Sequence, residues 1–394
     1  MNPEDAKLRG LFLIKADQSF SEHHPLWAVI QSFRQHLSEV HVVVFVKGKV
    51  SREDRIIQQD GQFFVYHVPE KFFLFNFSYY WTTIQFNLRY RKKFRPDFIL
   101  SIADGVPAFF GFLLAWSNKR RFFMQASPHL LGHEALSLQH VINKAMLKRA
   151  TAVFVPGKQT AALFSDLFNI PPAQLIPVEP PFDYHALAHV TDKKDFKIEN
   201  PQYTFFISSV IYTTKDATAL VALHERVRAK YPRTAMIVLV PADMHESIKR
   251  LLKHQHAFGM FVYKQDDTLL ASLNGTQLYA AISKEQDIDT SMITALGLLI
   301  PVVSIDFGIA PELFTGTPYQ QFMTPAGDIE AMAASIVTLI EDQRTRGEYA
   351  LNTGMLLSKV KLVTPEEYAG TVYSVIKEII QPTLQKVRPI PDLS

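Results

Sequence analysis

The tightest constraint on this chain is a rhythm. Short apolar, β-branched runs alternate with longer segments of helical spacing, and the alternation occurs twice with a proline-rich interruption between. In the first series "LFLIKA", "VHVVVFV", "FFVYHV", "RPDFILSI", "RRFFMQA" and "TAVFVPG" read as strands. Among them, "HPLWAVIQSFRQHLSE" sets Leu26, Val29, Ile30, Phe33 and Leu37 at helical spacing, and "VPAFFGFLLAWS" and "LQHVINKAMLKRA" read as further helices. Strands apolar on both faces, alternating with helices, predict a mostly parallel sheet covered on both sides. The stretch "NIPPAQLIPVEPPFDYHAL" is proline-rich and without period, so it ends the first series.

The second series runs from "YTFFISSVI" through the helix "DATALVALHERVRAKY", the strand "TAMIVLVP", the helix "HESIKRLLKHQ", and the strands "GMFVY" and "QLYAAIS". The helices "IEAMAASIVTLIED" and "PEEYAGTVYSVIKEII" follow, the last expected to stop before Pro382. At 394 residues the chain is too long for one typical core. The expected fold class is therefore α/β, with two Rossmann-like domains. The boundaries are a first domain over 1–182, a linker over 183–202, a second domain over 203–365, and a C-terminal helix and tail over 366–394. Ligands of such sheets sit beyond the carboxyl ends of the strands, here expected in a cleft between the halves.

Composition narrows the chemistry. There is no cysteine, so disulfides, thiolate catalysis and Cys-ligated zinc are excluded, in keeping with a reducing cytoplasm. The start "MNPEDAKLRG" lacks the apolar core of a signal sequence. The longest apolar run, Gly105 to Trp116, is about half of the ~20 residues a membrane span needs.

The most informative stretch is "YAAISKEQDIDTSMITALGLLIPVVSIDFGIAPEL". It reads as a strand, a polar turn, a helix, a buried strand and a glycine turn. With "YTFFISSVIYTTKD" before it, it resembles the donor-binding segment of the retaining family 4 glycosyltransferases. The end of the first series, "TAVFVPGKQTAALFSDLFNIPPAQLIPVEPPFD", is similar to that family's acceptor domain. The resemblance covers roughly residues 95–380. It implies the GT-B fold, two facing Rossmann-like domains, with transfer of a sugar from a nucleoside-diphosphate sugar to an acceptor hydroxyl. It also implies that the nucleotide sugar is a co-substrate, and that neither cofactor nor metal is needed.

Pro301, Val302, Val303, Asp306, Gly308 and Glu312 keep the family pattern. Counted back from Pro301, the family's two acidic positions fall on Gln286 and Thr294, and its glycines on Asp287 and Asp289. A one-residue slip would put Glu285 at the first acidic position. The phosphate-binding Arg falls at Ser209, and Lys215 matches the phosphate-binding Lys. The glycine-rich turn after the family's first strand becomes "KADQSFSEHH", and its catalytic His maps to "MQASPHLLGH", offering His129 or His133. The expected site is thus His129, Glu285 and Gln286 for catalysis, with Ser209, Lys215, Asp287, Thr294 and Glu312 for the donor. The competing reading of the turn is local: Asp289 or Thr290 caps the helix that follows.

These altered letters leave two further readings open. One is a non-catalytic relative that acts as a binding or partner subunit of another glycosyltransferase. The other is a nucleotide-sugar epimerase, whose chemistry wants carboxylates and histidines in the cleft, so the same substitutions count against it. The segment 71–98, with Arg89, Arg91, Lys92, Lys93 and Arg95 among aromatic residues, reads as a helix with a basic face. It suits peripheral contact with the inner face of a membrane and a lipid-linked acceptor. Nothing else in the chain signals a nucleic-acid partner.

Overall fold

The computed structural model describes residues 7–16, 26–46, 56–69, 95–126, 130, 138–182, 202–241, 244–265, 272–273, 275–284, 289–360 and 362–387. The chain forms two compact units. Among the described residues the first comprises those up to Pro181 together with Val363 onward, and the second comprises Phe182–Leu362.

The first unit contains β1 (Arg9–Ala16), α1 (Trp27–Phe33), β2 (Glu39–Val46), β3 (Ile56–Asp60), β4 (Phe63–Pro69), β5 (Phe98–Ser101), α2 (Val106–Asn118), β6 (Arg121–Gln125), α3 (Leu138–Arg149), β7 (Ala152–Val155), α4 (Lys158–Phe168) and β8 (Leu175–Pro177). Its sheet runs β3-β4-β2-β1-β5-β6-β7-β8. The strands pair in parallel except β3, which lies antiparallel on β4 at the edge. Central strands are apolar on both faces, as their sequence requires: in β2 every residue after Glu39 is buried. Helix α2 packs so close to the sheet that a Cβ on Gly111 would come 3.0 Å from Leu13 and Phe122.

The second unit contains β9 (Phe205–Val210), α5 (Thr214–Lys230), β10 (Thr234–Val240), α6 (His245–His254), β11 (Met260–Lys264), β12 (Leu278–Ala281), α7 (Thr290–Gly297), β13 (Val302–Ile305), α8 (Ala310–Phe314), β14 (Met323–Thr324), α9 (Ile329–Glu341) and α10 (Gln343–Leu357). Its sheet is all parallel in the order β11-β10-β9-β12-β13-β14. That order reverses direction between β9 and β12. Loops leaving the carboxyl ends of those two strands diverge to opposite faces, which leaves a crevice between them.

The chain returns to the first unit for its last helix, α11 (Pro365–Val387). Tyr368, Ala369, Val372, Ile376 and Ile380 join the core formed by α1 and the first sheet. The Tyr368 hydroxyl donates to Gln125 Oε1 at 2.8 Å, and Tyr373 stacks on His36 at 5.4 Å. The helix does not stop before Pro382, as its sequence suggested, but continues to Val387. A proline removes one amide donor and crowds the preceding turn, and a long helix anchored by packing can run through it. Among the described residues no helix is long and apolar enough to cross a membrane.

Candidate functional site

The crevice between β9 and β12 is the place to build from. After β9 the chain passes through Tyr212 and Thr213 into α5. Thr213 is the N-cap: its Oγ1 accepts the Asp216 backbone N–H at 3.0 Å. Asp216 reaches back in turn, and its Oδ2 accepts the Tyr212 N–H at 3.3 Å. This reciprocal pair satisfies donors that a helix start leaves unpaired. The same Oδ2 accepts the Ser283 hydroxyl at 3.0 Å. Ser283 lies just beyond β12, so this bond crosses the crevice. Asp216 is only 8% exposed. Desolvation holds its pKa above the usual carboxylate value, against the pull of the bonds from Ser283, Thr213 and Tyr212.

A second carboxylate serves α7. Asp289 is its N-cap, and Oδ1 accepts the N–H groups of Ser291 at 2.9 Å and Met292 at 3.1 Å. Its Oδ2 accepts the hydroxyl of Tyr279 at 3.1 Å. Tyr279 is fully buried in β12. Desolvation raises the pKa of both groups, and for Tyr279 the Asp289 charge adds to the rise. Gln265 Nε2 sits 3.4 Å from both Tyr212 Oη and Ser291 Oγ, so a polar network runs across the ends of the strands. Ser283, Asp289, Ser304, Phe307 and neighbours line a cavity of about 10 Å³ beside it, the room of about one water.

Three sequence-predicted residues follow neighbouring strands of this edge. Lys215 lies in the first turn of α5 after β9, Thr294 in α7 after β12, and Glu312 in α8 after β13. Lys215 and Glu312 are exposed, and among the described residues neither side chain makes a hydrogen bond or ion pair. Thr294 is 6% exposed and gives its hydroxyl to the Thr290 carbonyl at 2.7 Å. Ser209, in β9, is fully buried, and its hydroxyl goes to the Ala280 carbonyl at 2.7 Å. Both hydroxyls are therefore used by the fold. His129, His133, Glu285, Gln286 and Asp287 lie outside the described residues, as does most of segment 71–98.

Sequence reasoning passed over Asp216, Ser283 and Tyr279. The signal for Asp216 was present: Thr213 followed at the capping-box spacing by an acid. Nothing local marks Ser283 or Tyr279, whose roles depend on strands that pair across the chain.

No family model matches the chain, and no curated protein matches it in sequence. Solved structures do match. Sucrose-phosphate synthase from Thermosynechococcus elongatus superposes with a TM-score of 0.62 over 95% of this chain and 100% of that one, at 14% identity. Anabaena HepE in complex with UDP and glucose gives 0.61 over 94% and 99%, at 12% identity. The E. coli trehalose-6-phosphate synthase bound with UDP-2-fluoro glucose gives 0.62 over 94% and 99%, at 11% identity. The fold is GT-B. It is shared over nearly the whole of each chain, while the side chains have diverged almost completely. Each half is the Rossmann-like α/β unit that its rhythm predicted.

Proposed function

We propose that this GT-B protein is a glycosyltransferase. It transfers a sugar from a nucleoside-diphosphate sugar to an acceptor hydroxyl, with retention and without a metal, in the assembly of a polysaccharide, glycolipid or glycoprotein. The observation that carries this reading is the full-length match to structures solved with UDP and with UDP-sugar derivatives. In this reading Lys215 attracts the diphosphate. Glu285 or Gln286, with Asp287, Thr294 and Glu312, line the donor side, and His129 lies on the acceptor side. Segment 71–98 rests on an anionic membrane surface at the cytoplasmic face.

A second reading, a non-catalytic relative that binds a partner glycosyltransferase, is favoured by one observation. At Ser209 and Thr294, where the family pattern has a cation and an acid, stand hydroxyls already committed to backbone carbonyls. One experiment separates the two readings. Nucleoside diphosphates are titrated by calorimetry, and the corresponding sugar nucleotides are then assayed for transfer or hydrolysis, with the product anomer read by NMR. Binding with turnover to the same anomer supports the enzyme. Binding without turnover on any donor supports the non-catalytic relative. No binding of any nucleotide rejects the sugar-nucleotide reading.

A further inference from the structure

Several exposed cations of the second unit are paired. On α5, Arg226 pairs with Glu330 and Lys230 with Glu341, and on α10 Arg344 pairs with Glu348. Helix α6 differs. Its inner side buries Ile248 and Leu252. Glu246, Lys249, Arg250 and Lys253 follow at spacings of three and four, so they share the outer face, and all are exposed. Glu246 is the only acid of the helix, and it sits 3.1 Å from His245 Nδ1. Among the described residues Lys249, Arg250 and Lys253 form no ion pair.

Just past the helix stands a large apolar ring. Phe258 is 71% exposed, yet its turn is fixed on every side. The Ala257 N–H donates to the Leu252 carbonyl at 3.0 Å, the Phe258 N–H to the His256 carbonyl at 2.8 Å, and the Met236 N–H to the Gly259 carbonyl at 2.8 Å. Arg228 Nη1 donates to the Phe258 carbonyl at 2.8 Å. His256, at φ 50°, and Gly259, at φ 78°, both lie in the left-handed region, which a histidine enters only at an energetic cost. The His256 ring stacks on Phe258 at 6.5 Å, and its N–H donates to the Lys253 carbonyl at 3.3 Å. The exposed ring is thus tied to the end of the cationic face.

We propose that the outer face of α6 and the Phe258 turn form a docking surface for an anionic lipid membrane. Three cations without an acid partner call for an anionic surface, and an apolar ring beside them calls for one with an apolar interior. A lipid bilayer has both. Lys249, Arg250 and Lys253 meet the headgroups, and Phe258 enters the boundary with the acyl chains. The apolar side of α6 stays in the protein core, so the helix lies on the membrane without inserting. The inference concerns the second unit alone and depends neither on sugar transfer nor on segment 71–98.

The test is co-sedimentation of the full chain with phosphatidylcholine vesicles, with and without phosphatidylserine. It compares wild type, the triple variant Lys249→Gln, Arg250→Gln, Lys253→Gln, and Phe258→Ser. All four side chains are exposed, so each variant should melt as wild type does. The chain has no cysteine, so Phe258→Cys can carry a single environment-sensitive dye. Wild type should bind the anionic vesicles only. The triple variant should bind them about a hundredfold more weakly, and Phe258→Ser about tenfold more weakly. The dye should shift to the blue on binding. Wild type that ignores anionic vesicles, equal binding by either variant, or a bound protein whose dye still reports water overturns the inference. Tighter binding to duplex DNA or to polyglutamate than to the anionic vesicles overturns it in favour of a polymer partner. The sugar-nucleotide reading stands or falls separately, by the nucleotide titration above.

Discussion

Helices α5 and α7 enter the same edge of the same sheet, each with a carboxylate at its start, and the two carboxylates are wired differently. Asp289 bonds to its own helix through Ser291 and Met292, and to the buried Tyr279. Asp216 bonds to Tyr212 and Thr213 in the turn before its helix and to Ser283 on the far side of the crevice. Removing Asp289 strands two helix amides and a fully buried hydroxyl. Removing Asp216 takes a partner from the turn before α5 and one bond from Ser283, a half-buried serine with a further contact of its own. The first carboxylate is bound up with folding, and the second can be altered with the fold intact.

The largest effect that separates the helices is a pH dependence, because α5 carries a second buried titratable group that α7 lacks. His224 is 2% exposed, and its pKa is pulled from 6.5 to about 4. Desolvation is the main cause and the Arg228 charge adds to it, against the bond to the Thr234 carbonyl. Between these values the unfolded chain binds a proton that the folded chain refuses. Stability is therefore fully present above pH 6.5 and is lost as pH falls toward about 4. The loss amounts to about 3 kcal/mol. Urea unfolding from pH 7 to pH 4 should show that slope in wild type and a flatter one in His224→Gln. An unchanged slope would place the acid sensitivity outside α5.

Next in size is cap removal. Asp289→Ala should cost about 2 kcal/mol and Asp216→Ala about 1 kcal/mol in urea unfolding at pH 7. Equal costs would break the contrast between the two carboxylates. The smallest effect is that of Tyr279→Phe, which leaves the α7 cap in place and removes one donor to Asp289, at about 1 kcal/mol or less. A loss as large as that of Asp289→Ala would show that the tyrosine bond, and not the two helix amides, carries the cap.

The same contrast marks what the sequence made legible. Strands such as β2 and β10, apolar apart from Glu39, His41 and Thr234, declare themselves by their β-branched runs, and the expectation that Asp289 or Thr290 caps α7 resolves to Asp289. Elements without a periodic apolar signal were missed. Edge strand β3 is "IIQQD", half polar because it pairs on one side only. Strand β8 lies inside the proline-rich stretch read as a boundary, where pairing with β7 decides its structure. Helix α10 was also passed over. Most of its fifteen residues are polar, small or exposed, and only Tyr349, Thr353 and Leu356 are buried. In the site, the strand carboxyl ends were readable from alternation alone. The tie between Asp216 and Ser283 was not, because 67 residues separate the partners and neither has a motif that names the other.

The placement of α11 has a consequence in time. The first unit needs Tyr368, Val372, Ile376 and Ile380 to finish its core, yet residues 182–362 come between its last strand and that helix. At a synthesis rate of about 5–20 residues per second, that insertion takes roughly ten to forty seconds to emerge. For that interval the apolar face of α1, with Val29, Ile30 and Phe33, has no covering helix. The second unit can finish folding first, although it is made later. A ribosome stalled before α11 would thus hold one completed unit and one open one, and the open one is the part a chaperone would bind.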